Sequence, residues 1–295
     1  MKKYIILIPL YNDWKSVSKL IKEIDAETSN WDVEVSIVIV NDASTEERSG
    51  IHFDYKKVKL IKILNMRQNR VHQRCIASGL KYICKNEDFD RVIIMDADGE
   101  DRPVELNDFI KKAQENPNMT ITGNRFKRSE GIFFKFLYEV HKVLTLIFTG
   151  KLIKFGNFSC LPKKHAEQLI QKPYLWNSYS SSVVRAIKDR IFIRSIRGIR
   201  YVQPSKMNFP ALIFHSLTII SVFRNIFILR SILFFLIYLF FISNSVSTIT
   251  ILPVFFLLIF FSVILKISFR SNLQELNASL ANIASIDVLD ETSRR

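Results

Sequence analysis

The chain contains no charged residue between Ser231 and Leu265, and this run decides the nature of its carboxy-terminal third. As a single helix the run would be about 52 Å long, whereas the hydrocarbon core of a bilayer is about 30 Å thick. A polar break at residues 243–245 divides it. We therefore predict two membrane-spanning helices, at residues 226–243 and 248–267. The alternative, a buried hairpin inside a globular protein, fits the apolar length less well.

Basic residues flank the predicted pair of spans on both sides. Arg224 precedes the pair and Arg230 lies near its start, while Lys266 lies at its end and Arg270 follows it. Because Lys and Arg concentrate in cytosolic segments, we predict a multi-pass protein of the inner (plasma) membrane with its large amino-terminal domain and both termini in the cytosol. Residues 209–225 mix apolar and polar side chains, which predicts an interfacial amphipathic helix. The tail at residues 268–295 is predicted to be polar, cytosolic, partly helical and then disordered.

Strand-like and helix-like segments alternate along the first 208 residues. Apolar runs typical of buried strands lie at residues 4–9, 33–40, 58–64, 92–95 and 119–122. Helical spacing of apolar residues predicts helices near residues 14–24, 71–83, 104–114, 132–148 and 161–171, with Asp13 able to cap the first. This order predicts an α/β domain with a doubly wound, mostly parallel sheet flanked by helices.

Polar clusters follow four of these strands at their carboxyl ends. They comprise Tyr11-Asn12-Asp13, Asn41-Asp42, Asp96 with Asp98, and Asn124-Arg125. Ligands of open parallel sheets bind in the crevice beyond the carboxyl ends of the strands. The sequence therefore predicts one ligand site built from these four clusters.

Asp96 and Asp98 directly follow the apolar run Val92–Met95. If the chain stays extended, the period of two places both carboxylates on the same side. Two carboxylates at the end of a buried strand suit a hard divalent cation that also holds a diphosphate. The alternative is a turn whose acids cap the helix that begins near Pro103.

The overall charge favours an anionic partner. The chain has 42 Lys and Arg against 28 Asp and Glu, a formal net charge of +14. Such a charge suits nucleic acid, anionic lipid headgroups or a phosphorylated substrate. No aromatic platform is interleaved with the basic residues, so we predict membrane lipids and no nucleic acid. Three scattered cysteines without zinc-type spacing indicate a reducing, cytosolic compartment.

Four motifs resemble those of the family 2 glycosyltransferases of the GT-A fold. They are Ile8-Pro9-Leu10-Tyr11-Asn12-Asp13, Val40-Asn41-Asp42-Ala43-Ser44-Thr45, Asn69-Arg70-Val71-His72-Gln73-Arg74 and Met95-Asp96-Ala97-Asp98-Gly99-Glu100-Asp101-Arg102-Pro103. With the paired spans, the chain is similar to the membrane-anchored branch that includes polyprenyl-phosphate mannose and glucose synthases, such as dolichol-phosphate mannose synthase. The resemblance implies a GT-A catalytic domain at residues 1–208.

The resemblance also implies an activity. It is the inverting transfer of a sugar from a UDP- or GDP-sugar to a polyprenyl phosphate of the undecaprenyl-phosphate type, on the cytosolic membrane face, in cell-envelope polysaccharide biosynthesis. Asp42 would read the nucleotide base, while Asp96 and Asp98, with Glu100 beside them, would hold Mg²⁺ or Mn²⁺ against the diphosphate. The remaining implied roles are nucleotide binding by Pro9, Tyr11, Asn12, Asp13, Asn69, Gln73 and Asp96, catalysis by Asp96, Asp98, Glu100, Asp101 and Arg125, and acceptor or phosphate binding by Arg197, Arg200, Ser205 and Lys206.

Departures from the family pattern leave the acceptor open. Val71 stands where the family often has Gly, and Lys154 and Ser159 replace the Asp and Arg of an Asp-x-Gly-x-Phe-Arg-Leu motif. A lipid phosphate needs no general base, whereas a sugar hydroxyl on a lipid-linked glycan or envelope polymer needs one, with Glu100 or Asp101 nearest. A non-catalytic, transferase-like membrane scaffold is a further alternative. The sequence is also compatible with a homo-oligomer.

Overall fold

The computed structural model describes residues 1–29, 31–48, 53–127, 132–202 and 209–289. Its first half alternates strands and helices, as the sequence predicts. The elements are β1 (Lys2–Leu10), α1 (Trp14–Thr28), β2 (Val33–Asn41), β3 (Leu60–Met66), α2 (His72–Asn86), β4 (Arg91–Ile94), α3 (Leu106–Glu115, preceded by a 3₁₀ turn at Pro103–Glu105) and β5 (Thr120–Lys127).

The second half begins with helices and ends with a strand. The elements are α4 (Ile132–Thr149), β6 (Ser159–Pro162), α5 (Lys163–Leu169), α6 (Tyr179–Ala186), β7 (Arg190–Ile196), α7 (Phe209–Ser221), α8 (Arg224–Ile242), α9 (Thr248–Ser268), α10 (Leu273–Ala278) and β8 (Ile283–Leu289), with 3₁₀ turns at Pro173–Trp176 and Ser279–Asn282.

One sheet of eight strands joins both halves, in the order β7-β5-β6-β4-β1-β2-β3-β8. β1 pairs in parallel with β2 and β4, β2 with β3, and β5 with β7. β6 runs antiparallel to β4 and β5, and β8 runs antiparallel to β3. The predicted mostly parallel sheet is therefore confirmed.

The helix predicted at residues 161–171 is wrong at its start. Residues 159–162 form β6, and α5 begins only at Lys163. All four residues of β6 are buried. A buried strand this short has no alternation to reveal it, so its apolar residues read as the first turn of the helix that follows.

The strands of this sheet are covered by helices on both faces. Ile6 and Ile8 of β1 lie in one core with Ile21 of α1 and Phe109 of α3. Leu7, on the opposite face, lies in a second core with residues of α2, α5 and α6. Each fully buried side chain of this size stabilises the fold by about 1.5–3 kcal/mol. The two cores hold the sheet rigid and leave its strand ends free for ligands.

The two predicted spans coincide with α8 and α9. Both helices are apolar and long enough to cross a bilayer by length and composition, and most of their side chains are exposed. Their bases pack against the rest of the protein through an apolar cluster of Phe148 from α4, Ile220 from α7, Phe227 from α8 and Ile264 from α9. The helices therefore form an exposed apolar hairpin next to the α/β domain.

The predicted tail is partly helical, as α10 shows, but the predicted disorder after the helix is wrong over β8. α10 packs beside α2, and β8 pairs with β3 from Ile61–Leu289 to Met66–Ile283. β8 satisfies backbone groups that β3 would otherwise leave open at the edge of the sheet. None of its residues is fully buried, and Ser285 and Asp287 interrupt its apolar residues. A strand without an apolar run is hard to distinguish from a polar tail by sequence.

Candidate active site

The loops after β1 and β2 are tied together at one edge of the sheet. The backbone N–H of Asn12 donates to Ser44 Oγ at 2.9 Å, and Asn12 Oδ1 accepts from the backbone N–H groups of Thr45 and Glu46. Asn12 has φ +50°, a left-handed conformation that asparagine tolerates better than most residues. Asn12 thus joins the first two polar clusters.

Asp42 connects these loops to the start of α2. Its side chain is buried, and Oδ1 accepts from the backbone N–H of Arg70 at 2.9 Å. Burial raises the pKa of Asp42, although the N–H groups of Arg70 and Val71 oppose that effect. Asn69 Oδ1 accepts from the N–H of Val71 at 3.0 Å and shapes the same turn. The second and third motifs therefore form one structural unit.

Val71 adopts φ +74° and ψ 151° immediately before α2. This region of backbone conformation favours glycine and costs a β-branched residue about 1–3 kcal/mol. The position where the family often has Gly therefore keeps a backbone conformation that suits glycine, and Val71 is strained in it. The Asp42 carboxylate and the Asn69 amide stabilise the turn in spite of it.

The acidic loop, residues 96–101, turns rather than continuing β4. The strand ends at Ile94, the chain turns at Ala97 and Asp98, and Gly99 has φ +84°. The predicted extended conformation through Asp98 is therefore wrong. The alternative is not supported either, because the 3₁₀ turn at Pro103 has no side-chain cap. Instead the acids bond within the loop, with Asp101 accepting from the N–H of Asp96 and Asp98 from that of Glu100.

Each acid of this loop also meets a donor from a distant part of the chain. The pairs are Asp96 Oδ1 with His72 Nε2 (3.2 Å) and Asn157 Nδ2 (3.0 Å), Asp98 with Arg200 (2.8 Å), Glu100 with Arg197 (2.7 and 2.8 Å), and Asp101 with Arg125 (3.2 Å). The structure thus brings the predicted residues Asp96, Asp98, Glu100, Asp101, Arg125, Arg197 and Arg200 together. Ser205 and Lys206 lie outside the described residues.

The acids of the loop differ in how easily they ionise. Burial opposes ionisation of Asp96, but His72, Asn157 and Arg125 outweigh it and lower its pKa. Burial and the negative charges of Asp96 and Glu100 raise the pKa of Asp98 to about 6. Burial and Asp96 likewise raise that of Asp101 to about 7. Asp96 is therefore a carboxylate at neutral pH, whereas Asp101 is partly protonated at that pH.

Arg200 lies between two predicted binding residues. Its guanidinium contacts Asp98 Oδ2 at 2.8 Å and Asp13 Oδ2 at 3.1 Å. Asp13 makes no side-chain cap on α1, so its predicted capping role is wrong, because its carboxylate faces Arg200 instead. The backbone N–H groups of Gly198 and Tyr201 donate to the carbonyls of Glu100 and Asp98. These contacts hold residues 197–201 across the acidic loop, and we call this segment the strap.

Asp96 and Asp98 are the carboxylates that a divalent cation would use. Among the described residues, no group of three or more His, Cys, Asp or Glu side chains is arranged to hold a metal. Asp98 and Glu100 face arginines, while the side chains of Asp96 and Asp98 keep 21% and 16% of their surface exposed. Carboxylate oxygens suit Mg²⁺ and Mn²⁺. The chemistry of Asp96 and Asp98 fits such a cation, and Arg200 competes for Asp98.

The other predicted nucleotide-binding residues surround this loop. Tyr11 is 43% exposed at the mouth of the site, and Pro9 is buried at the end of β1. Gln73 lies behind it, where its amide accepts from the N–H of Tyr179 and donates to Asn157. These contacts make Gln73 a supporting residue, and its contact with a nucleotide stays a prediction.

Sequence reasoning missed His72 and Asn157. Asn157 Nδ2 lies 3.0 Å from Asp96 Oδ1 and 2.9 Å from His72 Nε2, so the three side chains form one group. His72 belongs to the third quoted motif, and Asn157 to the altered stretch around Ser159. The signal for both was their place in those motifs, because polar side chains there meet at the strand ends.

Solved structures with a similar fold were found by comparison. Mannosyl-3-phosphoglycerate synthase from Rubrobacter xylanophilus has a TM-score of 0.53 at 13% identity, over 75% of this chain and 72% of that chain. Glucosyl-3-phosphoglycerate synthase from Mycobacterium tuberculosis, in complex with Mn²⁺, UDP-glucose and phosphoglyceric acid, has a TM-score of 0.53 at 12% identity, over 76% and 79%. At these identities the likeness concerns the fold alone, and it confirms the predicted GT-A fold.

A curated relative is similar in sequence. The undecaprenyl-phosphate 4-deoxy-4-formamido-L-arabinose transferase of Klebsiella pneumoniae subsp. pneumoniae is 23% identical over 196 residues. The match covers 66% of this chain but 57% of the relative, so the chain spans less than two thirds of that protein's length. The family described as glycosyl transferase family 2 matches residues 5–174, more than half of the chain. The protein belongs to the family 2 glycosyl transferases.

Proposed function

We propose that this protein is a membrane-bound, inverting glycosyltransferase that moves a sugar from a UDP- or GDP-sugar to a polyprenyl phosphate on the cytosolic membrane face. One observation carries the proposal, namely that a short chain of hydrogen bonds links the base of the apolar hairpin to the helix α2 beside the acidic site. Asn177 Nδ2 donates to Ser221 Oγ of α7 at 2.8 Å and to the carbonyl of Ile267 in α9. Two residues later, the N–H of Tyr179 bonds to Gln73 of α2. A lipid headgroup at the hairpin base is therefore close to the acids.

The donor would lie across the strand ends. Asp42 would accept from the nucleotide base, and Asp96 and Asp98 would hold Mg²⁺ or Mn²⁺. When bound, the metal would neutralise charge on the departing nucleotide diphosphate. Arg125, Arg197 and Arg200 add positive charge around the same acids and would stabilise phosphate groups.

The acids nearest to a reacting hydroxyl are both engaged. Asp101 is 1% exposed and bonds to Arg125 and to the N–H of Asp96. Glu100 holds a two-point contact with Arg197. Neither is available as a general base, which favours an acceptor that is already anionic. A lipid phosphate meets that requirement, and a sugar hydroxyl does not.

Ser159 also has a structural role. Its Oγ is buried and lies 2.7 Å from the hydroxyl of Tyr179. It is therefore unlike the Arg that the family motif places there, and it contacts no open surface. The acceptor phosphate must be bound by other residues.

Transfer can be measured directly. Purified protein in lipid would be incubated with Mn²⁺, undecaprenyl phosphate and labelled UDP- and GDP-sugars, and label entering the organic phase would be counted. We expect transfer from one donor, abolished in Asp98→Asn and retained in Asp108→Asn, an exposed acid on α3. A product that resists mild acid would be an ordinary glycoside and would point to a hydroxyl acceptor. Metal-dependent donor binding without any product would point to a scaffold.

A further inference from the structure

Three arginines gather where α2 meets the base of the hairpin. Arg70 and Arg74 flank the start of α2, and Arg270 follows the last turn of α9 by two residues. Burial lowers the pKa of Arg74, and the nearby charges of Arg270 and Arg70 lower it further because like charges repel. We call Arg70, Arg74 and Arg270 the hairpin-base cluster.

This cluster is poorly neutralised within the described residues. Arg74 Nη2 lies 3.5 Å from Glu275 Oε2, and Arg74 Nε is buried without a hydrogen-bond partner. The Glu275 carboxylate is half-exposed and also accepts from Trp176 Nε1 at 2.7 Å and from Asn272. A buried donor without a partner costs about 1–3 kcal/mol, so a ligand oxygen that accepts from Arg74 Nε would remove that cost.

Aromatic side chains hold two of these guanidiniums in place. Arg74 stacks on Trp176 at 5.0 Å, and Arg270 stacks on Phe214 of α7 at 4.8 Å. A guanidinium group that is fixed in this way is already oriented to donate two hydrogen bonds to the oxygens of a phosphate. Side chains that were only solvated surface charges would not need such support.

The cluster joins the end of α9 to the first turn of α2. His72 lies in that same turn, and its Nε2 contacts Asp96 at 3.2 Å. Arg270 stands at the end of α9, where a predicted span leaves the membrane. A phosphate at the end of a lipid chain that follows this helix would meet Arg270 and Arg74 at the turn of α2 that also carries His72.

We propose that Arg74 and Arg270 bind the phosphate monoester of the lipid acceptor, with Arg70 adding positive charge, a role that rests on the proposed function. The sequence assigns acceptor binding to Arg197 and Arg200 instead. Those two arginines are engaged with Glu100 and with Asp13 and Asp98, respectively. Arg197 and Arg200 contact acids of the loop, whereas Arg74 and Arg270 stack on Trp176 and on Phe214 of α7 near the base of the hairpin.

The test compares Arg74→Gln, Arg74→Lys and Arg270→Gln in the full chain with Lys266→Gln, which removes an exposed charge one turn earlier on α9. Farnesyl phosphate in neutral detergent serves as a soluble acceptor, and undecaprenyl phosphate in vesicles as the long one. We expect the two Gln variants to raise the KM for both acceptors by about tenfold or more, because charged hydrogen bonds are lost. Arg74→Lys should recover part of that loss, and the KM for the donor and the behaviour of Lys266→Gln should stay unchanged.

Three results would overturn the assignment. The first is an unchanged acceptor KM in both Gln variants when their thermal stability is normal. The second is a raised donor KM with an unchanged acceptor KM. The third is a raised acceptor KM that is seen in vesicles but not with farnesyl phosphate in neutral detergent. The second result would mean that the hairpin-base cluster binds the donor diphosphate, and the third that it binds lipid headgroups of the bilayer. Calorimetric binding of farnesyl phosphate separates this inference from the proposed function. Arg74-dependent binding by a protein that transfers no sugar would support the site and reject the activity.

Discussion

Arg200 Nη1 lies 2.8 Å from Asp98 Oδ2, so a cation of the protein itself occupies the carboxylate that the sequence assigns to a metal. The two residues are 102 positions apart, and the same guanidinium reaches Asp13. A divalent cation can use Asp98 fully only when Arg200 gives it up. The metal site and the strap at residues 197–201 are therefore in competition.

Removing Arg200 should strengthen metal binding. In Arg200→Ala the Asp98 carboxylate loses its competing cation, and we expect Mn²⁺ in the absence of nucleotide to bind about tenfold more tightly, as for the loss of one charged hydrogen bond. Calorimetry measures the affinity. Arg194→Ala is the matched control, because Arg194 stacks on Phe126 and does not contact the acids. Equal or weaker binding in Arg200→Ala would reject the competition.

Asp42→Asn should separate base recognition from loop structure. The asparagine keeps Oδ1 as an acceptor for the N–H of Arg70 but replaces the other carboxylate oxygen with a donor. We expect the donor KM to rise about tenfold or more with little change in melting temperature. Steady-state kinetics measures the donor KM, and thermal unfolding measures the melting temperature. Asp42→Ala, which also loses the loop contact, should lower both affinity and stability, and an unchanged donor KM in Asp42→Asn would exclude Asp42 as the base-reading residue.

The elements and the acidic motif could be predicted because their signals are local. β4 and the acids that follow it are consecutive in sequence, and apolar periodicity identifies most helices. The partners of those acids could not be predicted, because Arg200 and Asn157 reach them from 102 and 61 positions away. Such pairing depends on the order of the strands in the sheet, and that order cannot be predicted from a local sequence pattern.

β8 shows the same limit for secondary structure. Its pairing with β3 is stabilised by backbone hydrogen bonds and by the hydroxyl of Tyr55, which donates to the carbonyl of Leu289. Neither contact needs an apolar run in β8 itself. The turn at Val71, by contrast, leaves a signal in the sequence, since a family glycine at this position marks a backbone conformation that Val71 adopts here at a steric cost.

Val71→Gly should stabilise the protein. Glycine accepts φ +74° without the steric cost of about 1–3 kcal/mol, while its extra freedom in the unfolded chain costs about 0.5–1 kcal/mol. The side chain is 59% exposed, so little packing is lost. The expected net gain is about 1 kcal/mol, or about 2–4 °C in melting temperature. Val71→Ala tests the reason, because alanine keeps a Cβ and should bring no comparable gain.

The protein without metal should lose stability as the pH rises from 6.5 to 8. The pKa of Asp101 in the fold is about 7, well above the 3.8 of an ordinary Asp, and Asp96 raises that of His72, although burial opposes it. Both groups therefore keep protons that the unfolded chain has released, and such protons stabilise the fold only until the pH passes the folded pKa. His215, whose pKa burial lowers to about 4, acts in the opposite direction but only below pH 6.5.

Thermal unfolding in detergent with EDTA, at half-unit steps across this range, measures the slope. We expect a fall of a few degrees in melting temperature for the wild type and a flatter profile for Asp101→Asn, which has no proton to lose there. Asp108→Asn, at an exposed position on α3, should reproduce the wild-type slope. A melting temperature that rises with pH in the wild type would contradict the assignment of a shared proton to the acidic loop. A flat profile would likewise contradict it and would mean that Asp101 is ionised throughout, held as a carboxylate by Arg125.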